Sequence, residues 1–487
     1  MLEKCFKLKE NNTSVKTEIV AGLTTFMTMA YIIALNPNLL TGFGAEGREL
    51  WNGVFLATCI ASAVGMFVMA FLANKPFAMA PGMGLNSFFA VVVGNVVGIT
   101  GMTYLASFQA ALCIILIEGI VFIILSLLSI REKIVDAIPL GVRLGIAPAI
   151  GLMLMNIGLG SNAGVQNFGQ VFYDAEGNKL GNNAYYVMKD FFGSLTAGLA
   201  RETMGDVYPQ MVLTVATMFI GLFAIVVLAQ KGVKAAVILG MLIASVVYWA
   251  GEALFLGTNP FAGLATASFL PPFKDMADTT LFRFNFEGFM KIGGFTVITL
   301  IVTFCIIDMF DTIGTLVGTA SRAGMLDKEG KMPGMKQALL ADAVGTVVGS
   351  ATGTSTVTTF VESASGVEAG GRTGLTALTT GILFLACTFL APIAAIIPAA
   401  ATSSALIYVG VLMVGGLKNI NFDDVSQTLP AALMLIGMPV SGSIGHAIGL
   451  GLISYTVIKL FTGKAKEVSA LTYVLSAIFL VKFFLAV

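Results

Sequence analysis

A small set of ionisable side chains interrupts the apolar stretches of this sequence, and these residues are its first candidates for chemistry. They are Glu118, Asp308, Asp311, Asp342, Glu362, Glu368 and Arg372. If the stretches cross a membrane, each central charge costs about 2.5–3.5 kcal/mol on insertion scales, so such residues are usually functional. Asp308 and Asp311 are three residues apart and share one helix face. Two carboxylates this close in a dry setting are not expected to be ionised together, which predicts that one of them exchanges a proton.

Glu362 has an aromatic neighbour that suits a planar ligand. Phe360 precedes it by two residues, which places the ring and the carboxylate on the same side of an extended segment. A heterocycle could stack on the ring and donate N–H groups to the acid. Asn86, at a similar break in the first half of the chain, offers both a donor and an acceptor. These residues predict a site for a planar, polar small molecule.

Structural roles compete with these interpretations at the remaining charged positions. Glu118 is favoured as a hydrogen-bonding partner between helices. Glu368 and Arg372 are spaced to form a salt bridge one helical turn apart. For Asp308 and Glu362 the functional interpretation is favoured.

The composition identifies the class of protein that must position these residues. Of 487 residues, 57% are hydrophobic and 11% are charged, where a soluble domain averages about 25% charged. The apolar blocks are about 17–25 residues long, which is the length of a membrane-spanning helix. We therefore predict an all-α polytopic membrane protein with about fourteen transmembrane segments. The net charge of +0 and the absence of a basic face argue against a nucleic-acid partner. Five scattered cysteines and one histidine predict no metal centre, and no cofactor is expected.

Basic residues alternate between connectors and predict the orientation of the chain. They are concentrated before the first span, around Arg131 and Lys133, around Lys231 and Lys234, and in the segment 322–336. By the positive-inside rule the N-terminus is cytoplasmic, and we expect a multi-pass protein of the cell inner membrane. The first span itself is expected to direct insertion, since no cleavable signal segment precedes it. The segment 131–139 is interpreted as a solvated amphipathic helix on the cytoplasmic surface.

Two segments cannot be ordinary membrane helix. Residues 77–87 contain Pro81 with glycines around it, and residues 352–363 are rich in Thr and Ser. Each is predicted to form a short strand followed by a helix, the helices beginning near Asn86 and Ser363. Such helix N-termini present unpaired N–H groups to a ligand. Broken backbone at this depth survives only where protein or a water-filled cavity surrounds it.

An internal duplication relates the two halves at an offset of about 280 residues. The matched features, in the same order in both halves, are Thr25-Phe26 with Thr303-Phe304, Ala61–Gly65 with Ala341–Gly345, the two broken segments, and Pro139 with Pro398. With seven spans in each half, the second copy must enter the membrane in the opposite sense. Inverted repeats with interrupted helices are typical of transporters whose substrate site lies near the midplane.

On these motifs the sequence resembles the nucleobase–cation symporter 2 superfamily, and within it the AzgA-like branch of purine-base permeases. The segments that carry the resemblance are 76–90, 308–318, 340–350 and 354–378. It implies a core domain of residues 1–130 and 290–397 and a gate domain of residues 131–256 and 398–487. It also implies substrate binding by Asn86, Asp308 and Glu362, a transport role for Asp311, and an acidic family position at Asp342. Phe360 and Ser363 complete the predicted site, and Ser363 stands where the wider superfamily has Asn.

The resemblance implies import of adenine, guanine or hypoxanthine by proton symport, so the partners are a purine base, protons and membrane lipid. A homodimer is left open. The chain is not expected to be an enzyme. The alternatives are an anion exchanger of the same architecture, a channel, and an intramembrane aspartyl protease using Asp308 and Asp342. A protease of that kind needs a GxGD motif, which this sequence lacks. Anions are disfavoured by three carboxylates and by the expectation that no mid-membrane cation faces them.

Overall fold

The computed structural model describes residues 2–42, 47–128, 131, 134, 137–160, 171–173, 179–182, 205, 208–322, 324–327, 332–441 and 443–485. Over these residues, 11 helices are long and apolar enough to cross a membrane, and Val425–Ser441 and Ala470–Phe484 are shorter apolar helices. This confirms the predicted all-α polytopic class.

In the described part of the first half, one short strand and one β-hairpin lie between the helices. These helices are α1 (Leu2–Cys5), α2 (Val15–Met29), α3 (Ile32–Leu40), α4 (Trp51–Val68), α5 (Met83–Thr100), α6 (Tyr104–Leu127), α7 (Leu140–Leu159), α8 (Tyr208–Gln230) and α9 (Ala236–Gly251). Strand β1 is Met79–Pro81, and β2 (Val171–Tyr173) pairs antiparallel with β3 (Lys179–Asn182) in the connector after α7.

The second half begins with two short helices and then repeats the pattern. Its helices are α10 (Phe273–Thr279), α11 (Phe286–Lys291), α12 (Gly294–Arg322), α13 (Met335–Thr352), α14 (Ser363–Glu368), α15 (Gly374–Ala386), α16 (Ala391–Ala395), α17 (Ala399–Val414), α18 (Val425–Ser441), α19 (Ile444–Phe461) and α20 (Ala470–Leu485), and strand β4 is Val357–Thr359.

The two broken segments meet in the protein interior. Strands β1 and β4 pair antiparallel, with Ala80 opposite Thr358. Each strand is followed by a helix, as predicted from the Pro, Gly and Thr content. The second helix begins at Ser363 as expected, but the first begins at Met83, three residues before the predicted position at Asn86. Asn86 therefore lies in the first turn of α5.

Two glycines matched by the sequence repeat occupy matched positions against these strands. A methyl group at Gly65 on α4 would lie 3.4 Å from Met79 and 3.5 Å from Val357. One at Gly345 on α13 would lie 3.1 Å from both. The strand residues Met79 and Val357 are fully buried. Because Gly65 and Gly345 have no side chain, α4 of the first half and α13 of the second half can both pack closely against the paired strands.

Gly345→Leu is expected to lower the stability of the folded protein by about 1–3 kcal/mol, because the larger side chain must displace packed strand residues. Thermal unfolding of the purified protein in detergent measures this effect. The matched control is Gly98→Leu, since a side chain at Gly98 on α5 meets nothing within 4 Å. Equal melting temperatures for the two variants would contradict close packing at Gly345.

The helices pack in two groups, and each group draws on both halves of the chain. In one, α4 packs on α13 and α15, and α6 packs on α13. In the other, α7 packs on α17 and α18, and α8 packs on α9 and α17. The division into a core domain (1–130 and 290–397) and a gate domain (131–256 and 398–487) stays a prediction. Their movement relative to each other stays a prediction.

Candidate functional site

The polar segment around β4 forms hydrogen bonds with several helices, and the predicted site residue Asn86 is among its partners. Its hydroxyls reach four different helices: Thr354 accepts from Asn36 Nδ2 (2.9 Å), Ser355 donates to Asn86 Oδ1, Thr356 donates to Glu118 Oε2 (2.7 Å), and Thr358 shares a hydrogen bond with Thr312 (2.6 Å). The threonine-rich sequence that breaks the helix thus supplies hydrogen bonds at a depth where the lipid provides none.

Thr312 on α12 joins two of the predicted acids. Its hydroxyl oxygen lies 3.1 Å from Asp308 Oδ1 and 2.9 Å from Asp342 Oδ1. Asp308 and Asp342 are both fully buried, although they come from different helices. Among the residues that the structure describes, none forms a hydrogen bond with the second oxygen of Asp308. A buried acceptor without a partner is costly, so Asp308 Oδ2 is suited to receive a donor from a ligand.

A cation faces these acids, contrary to the expectation from the sequence. Arg131 Nη2 lies 3.2 Å from Asp342 Oδ2 and 3.7 Å from Asp308 Oδ2. Its Nη1 donates to the Leu339 carbonyl (3.1 Å), and the guanidinium lies 3.9 Å from the centre of the Phe122 ring.

The prediction that segment 131–139 is a solvated surface linker is therefore wrong at Arg131, whose side chain is 0% exposed. Arg131, Ile134 and Ala137 are helical, and the residues between them lie outside the described ranges. Because a buried guanidinium is stable only when paired with acids, the connector is anchored into the bundle.

Two other predicted acids remain partly exposed. Glu362 Oε1 accepts a hydrogen bond from the Tyr31 hydroxyl at 2.7 Å. Asp311 lies beside the first broken segment, where a methyl group at Gly82 would come within 3.4 Å of Asp311 Oδ2. The charges of Asp311 and Glu362 lie close enough to interact. Of the acids in the spans, these two are the more accessible to a ligand, whereas Asp308 and Asp342 lie deeper.

Asn86 and Ser363 hold the two broken segments together. The Asn86 amide donates to the Pro81 carbonyl (3.1 Å), and its oxygen accepts from Ser355. Ser363 Oγ accepts from the Ala78 backbone N–H at 2.9 Å. Both side chains therefore form hydrogen bonds that run from one repeat to the other, and their role in substrate binding stays a prediction.

Phe360 is placed differently from its predicted geometry. Strand β4 ends at Thr359, and the chain turns at Val361 and Glu362 before α14 begins. Residues 360–362 are therefore not one extended segment, so the period of a strand does not place the Phe360 ring and the Glu362 carboxylate on the same side. The Phe360 ring is buried, and its backbone N–H donates to the Ala78 carbonyl (2.9 Å).

A family model described as Permease family (Xan_ur_permease) matches residues 16–189 and 186–441. The match covers well over half of the chain. The chain belongs to the nucleobase–cation symporter 2 superfamily.

This symporter-family chain is similar to named permeases over its whole length. It is 36% identical over 482 residues to the adenine permease AdeP of Escherichia coli, covering 99% of this chain and 96% of the relative. It is 37% identical over 485 residues to the guanine/hypoxanthine permease PbuO of Bacillus subtilis, covering 99% and 100%. A putative permease of Methanocaldococcus jannaschii is 38% identical over 483 residues, covering 99% and 98%. These relatives confirm the resemblance to the purine-base branch of the superfamily.

Solved transporters share the fold of this chain. The transmembrane domain of a cyanobacterial bicarbonate transporter, BicA, matches with a TM-score of 0.59 at 18% identity, over 90% of this chain and 97% of that chain. The murine anion transporter Slc26a9 in its inward-facing state matches with a TM-score of 0.54 at 12% identity, over 92% and 68%. At these identities the likeness concerns the fold, and it confirms the predicted inverted-repeat architecture.

One ion pair predicted from the sequence is wrong. Glu368 pairs with Lys234 in the connector before α9 (2.9 Å) instead of with Arg372. The Arg372 guanidinium donates to the carbonyls of Val367 (2.6 Å) and Gly371 (2.7 Å). The chain turns between α14 and α15, so the spacing of four residues does not lie on one continuous helix.

Several polar residues that contact the predicted acids or broken segments are not among the predicted site residues. They are Tyr31, Arg131, Thr312, Ser355, Thr356 and Thr358. For the hydroxyl residues near β4 the clustering of Thr and Ser was a usable signal. Tyr31 and Arg131 gave none, because each is brought to an acid by packing between distant parts of the chain. Together with the predicted acids, these groups form a largely buried network with hydrogen-bond acceptors for N–H donors and carboxyls able to carry a proton.

Proposed function

We propose that this permease imports purine nucleobases, namely adenine, guanine or hypoxanthine, by proton symport across the cell inner membrane. The observation that carries the proposal is the full-length similarity to adenine and guanine/hypoxanthine permeases. The chemistry of the buried network is compatible with it. Purine rings present N–H donors, and Asp308 and Glu362 offer carboxyl oxygens as acceptors.

In this proposal Asn86, Asp308, Phe360, Glu362 and Ser363 form the substrate site. Asp308 and Glu362 accept ring N–H groups, Asn86 reads a donor or acceptor on the base, and Phe360 packs against it. Because Asp308 is fully buried, the base reaches it only when neighbouring helices move. We assign that movement to the gate domain sliding against the core domain, with the N-terminus on the cytoplasmic side. Asp311 and Asp342 are assigned to proton coupling.

Anion exchange is the alternative on the same fold, because the solved neighbours include a bicarbonate transporter and an anion transporter. The sequence predicts that no cation faces the acids, but the buried Arg131 does. This cation is nevertheless matched by Asp342 at 3.2 Å and lies near Asp308, so it is not free for a substrate anion. We therefore expect that excess bicarbonate or chloride leaves purine uptake unchanged.

Uptake by intact cells tests the proposed function. The chain is expressed in a bacterial host that lacks its own purine permeases, and entry of labelled adenine, guanine and hypoxanthine is measured. We expect saturable uptake of at least one base, with competition by unlabelled purines. Protein present in the membrane but no uptake above the empty-vector control would contradict the proposal.

Asn86→Asp is expected to change the ranking of the three bases, because an oxygen replaces the amide donor and can no longer satisfy the Pro81 carbonyl or a purine acceptor. The measurement is the relative inhibition of labelled-base uptake by each unlabelled base. The control is Ser355→Ala, which removes the hydrogen-bond partner of Asn86 but leaves its amide in place. The same ranking in all three proteins would mean that Asn86 only joins the two broken segments.

A further inference from the structure

We propose that Arg131 sets the proton affinity of the Asp308 and Asp342 pair, so that the pair binds one proton. This inference rests on the proposed proton symport. It adds Arg131, whose segment the sequence predicts to be a solvated surface helix. Arg131 is a positioning residue in this scheme, since it acts through the two carboxyls.

The charges within the cluster support one proton. Arg131 contributes one positive charge, and its closer partner Asp342 at 3.2 Å balances it. Asp308 at 3.7 Å is then the excess negative charge when it is ionised. All three side chains are fully buried. A net charge at this depth is costly, so the cluster is neutral when one of the two acids carries a proton.

The hydrogen bonds around Thr312 also indicate that the Asp308 and Asp342 pair carries one proton. A hydroxyl has one proton and two lone pairs. The Thr312 oxygen lies 3.1 Å from Asp308, 2.9 Å from Asp342 and 2.6 Å from Thr358. Thr312 can donate to only one carboxyl, so the other contact is a hydrogen bond only if that carboxyl is protonated and donates. Asp342 already receives the Arg131 N–H, which makes Asp308 the protonated partner.

Other titratable groups face the cluster and belong to its electrostatics. Glu118 on α6 lies within range of Arg131 and Asp342, while Asp311 and Cys305 on α12 lie within range of Asp308. Glu362 lies within range of Asp311. Arg131 is the only cation that the described residues place among these acids. Its removal is therefore not compensated by a neighbour.

Arg131 also occupies a junction in the chain. It lies between α6, which packs in the group containing the acids, and α7, which packs in the other group. Movement between the proposed core and gate domains would therefore act on the distance from Arg131 to Asp342. A lengthened ion pair would increase the proton affinity of the cluster, and a restored pair would decrease it.

The test is the pH dependence of adenine, guanine and hypoxanthine binding to purified protein, in three variants. Arg131→Gln leaves two acids without a cation, so the midpoint is expected to move to higher pH by about one unit or more. Asp342→Asn leaves Asp308 facing Arg131 alone, so the midpoint is expected to move to lower pH by a similar amount. The double variant removes one charge of each sign and is expected to return the midpoint close to that of the wild type.

Controls separate a charge effect from damage to the fold. Arg131→Lys keeps the charge and is expected to keep the midpoint. Lys336→Gln removes an exposed cation that donates to the Leu127 carbonyl at the end of α6, and it is expected to shift nothing. If Arg131→Gln does not fold, Asp342→Asn is compared with the double variant, which differs from it only at Arg131. Shifts in the same direction, or no shift, would overturn the proposal.

A second readout needs no purine. The protonated carboxyl band is titrated by infrared difference spectroscopy in the same variants, and the same opposite shifts are expected. If the wild type binds no purine but these infrared shifts appear, the proposed function fails and the role of Arg131 stands. If purine binding depends on pH but neither readout responds to Arg131→Gln or Asp342→Asn, only the role of Arg131 fails.

Discussion

Asp308→Ala is expected to reduce purine binding to the purified protein by about 10- to 150-fold or more, and Glu362→Ala is expected to do the same. Each substitution removes an acceptor for a ring N–H, and a buried donor left without a partner costs about 1–3 kcal/mol. For Asp308 the structural basis is an oxygen that is buried and has no hydrogen-bond partner among the described residues. For Glu362 it is a carboxylate held by Tyr31 at the strand-to-helix turn.

Binding is measured by equilibrium dialysis of labelled purine, with size-exclusion profiles to show that each variant is folded. The matched control is Asp423→Ala, an exposed acid in the loop before α18. Unchanged affinity in Asp308→Ala or Glu362→Ala would remove that residue from the substrate site.

Asp311→Asn is expected to abolish accumulation of purine against a gradient while equilibrium binding stays within about threefold of the wild type. Asp311 lies one helical turn from Asp308 and is partly exposed beside Gly82. A bound base can satisfy Asp308 by hydrogen bonding, but the charge of Asp311 must be neutralised by a proton before the site crosses the low-dielectric region. Asn imitates the permanently protonated carboxyl.

The measurements are uptake into cells at several external pH values and exchange between equal purine concentrations inside and outside. Wild-type uptake should rise as the external pH falls, because protons are co-substrates. In Asp311→Asn the pH dependence should flatten, and exchange should survive. Normal accumulation under an imposed pH gradient would place the coupling proton on Asp308, Asp342 or Glu362, or would identify another driving ion.

Hydropathy and backbone chemistry were sufficient to predict the architecture. Apolar block lengths gave the helices, and Pro81 with the threonine-rich segment gave the two strands. The matched glycines Gly65 and Gly345, found by comparing the halves, pack against the same strand pair. These features depend on local sequence and on a repeat, so no tertiary contact was needed to infer them.

The chemistry of the site was only partly accessible from sequence. Acids in apolar spans stand out, whereas Arg131 looked like any charge in a polar connector. Its long side chain enters the bundle, stacks on Phe122 and pairs with Asp342, which is 211 residues away in the chain. That placement depends on tertiary packing alone. The prediction for Phe360 failed for a different reason, since the strand ends at Thr359 and residues 360–362 are not extended as the prediction requires.

Transport by the purified protein in sealed liposomes shows whether purine movement is coupled to protons. Labelled adenine, guanine and hypoxanthine are supplied outside, and a pH gradient, acidic outside, is imposed with and without a protonophore. If import is coupled to protons, at least one purine accumulates above its external concentration, and the protonophore or Asp311→Asn abolishes the accumulation. Accumulation that ignores the pH gradient would contradict proton symport, and the absence of any purine flux from correctly folded protein would contradict the proposed substrate.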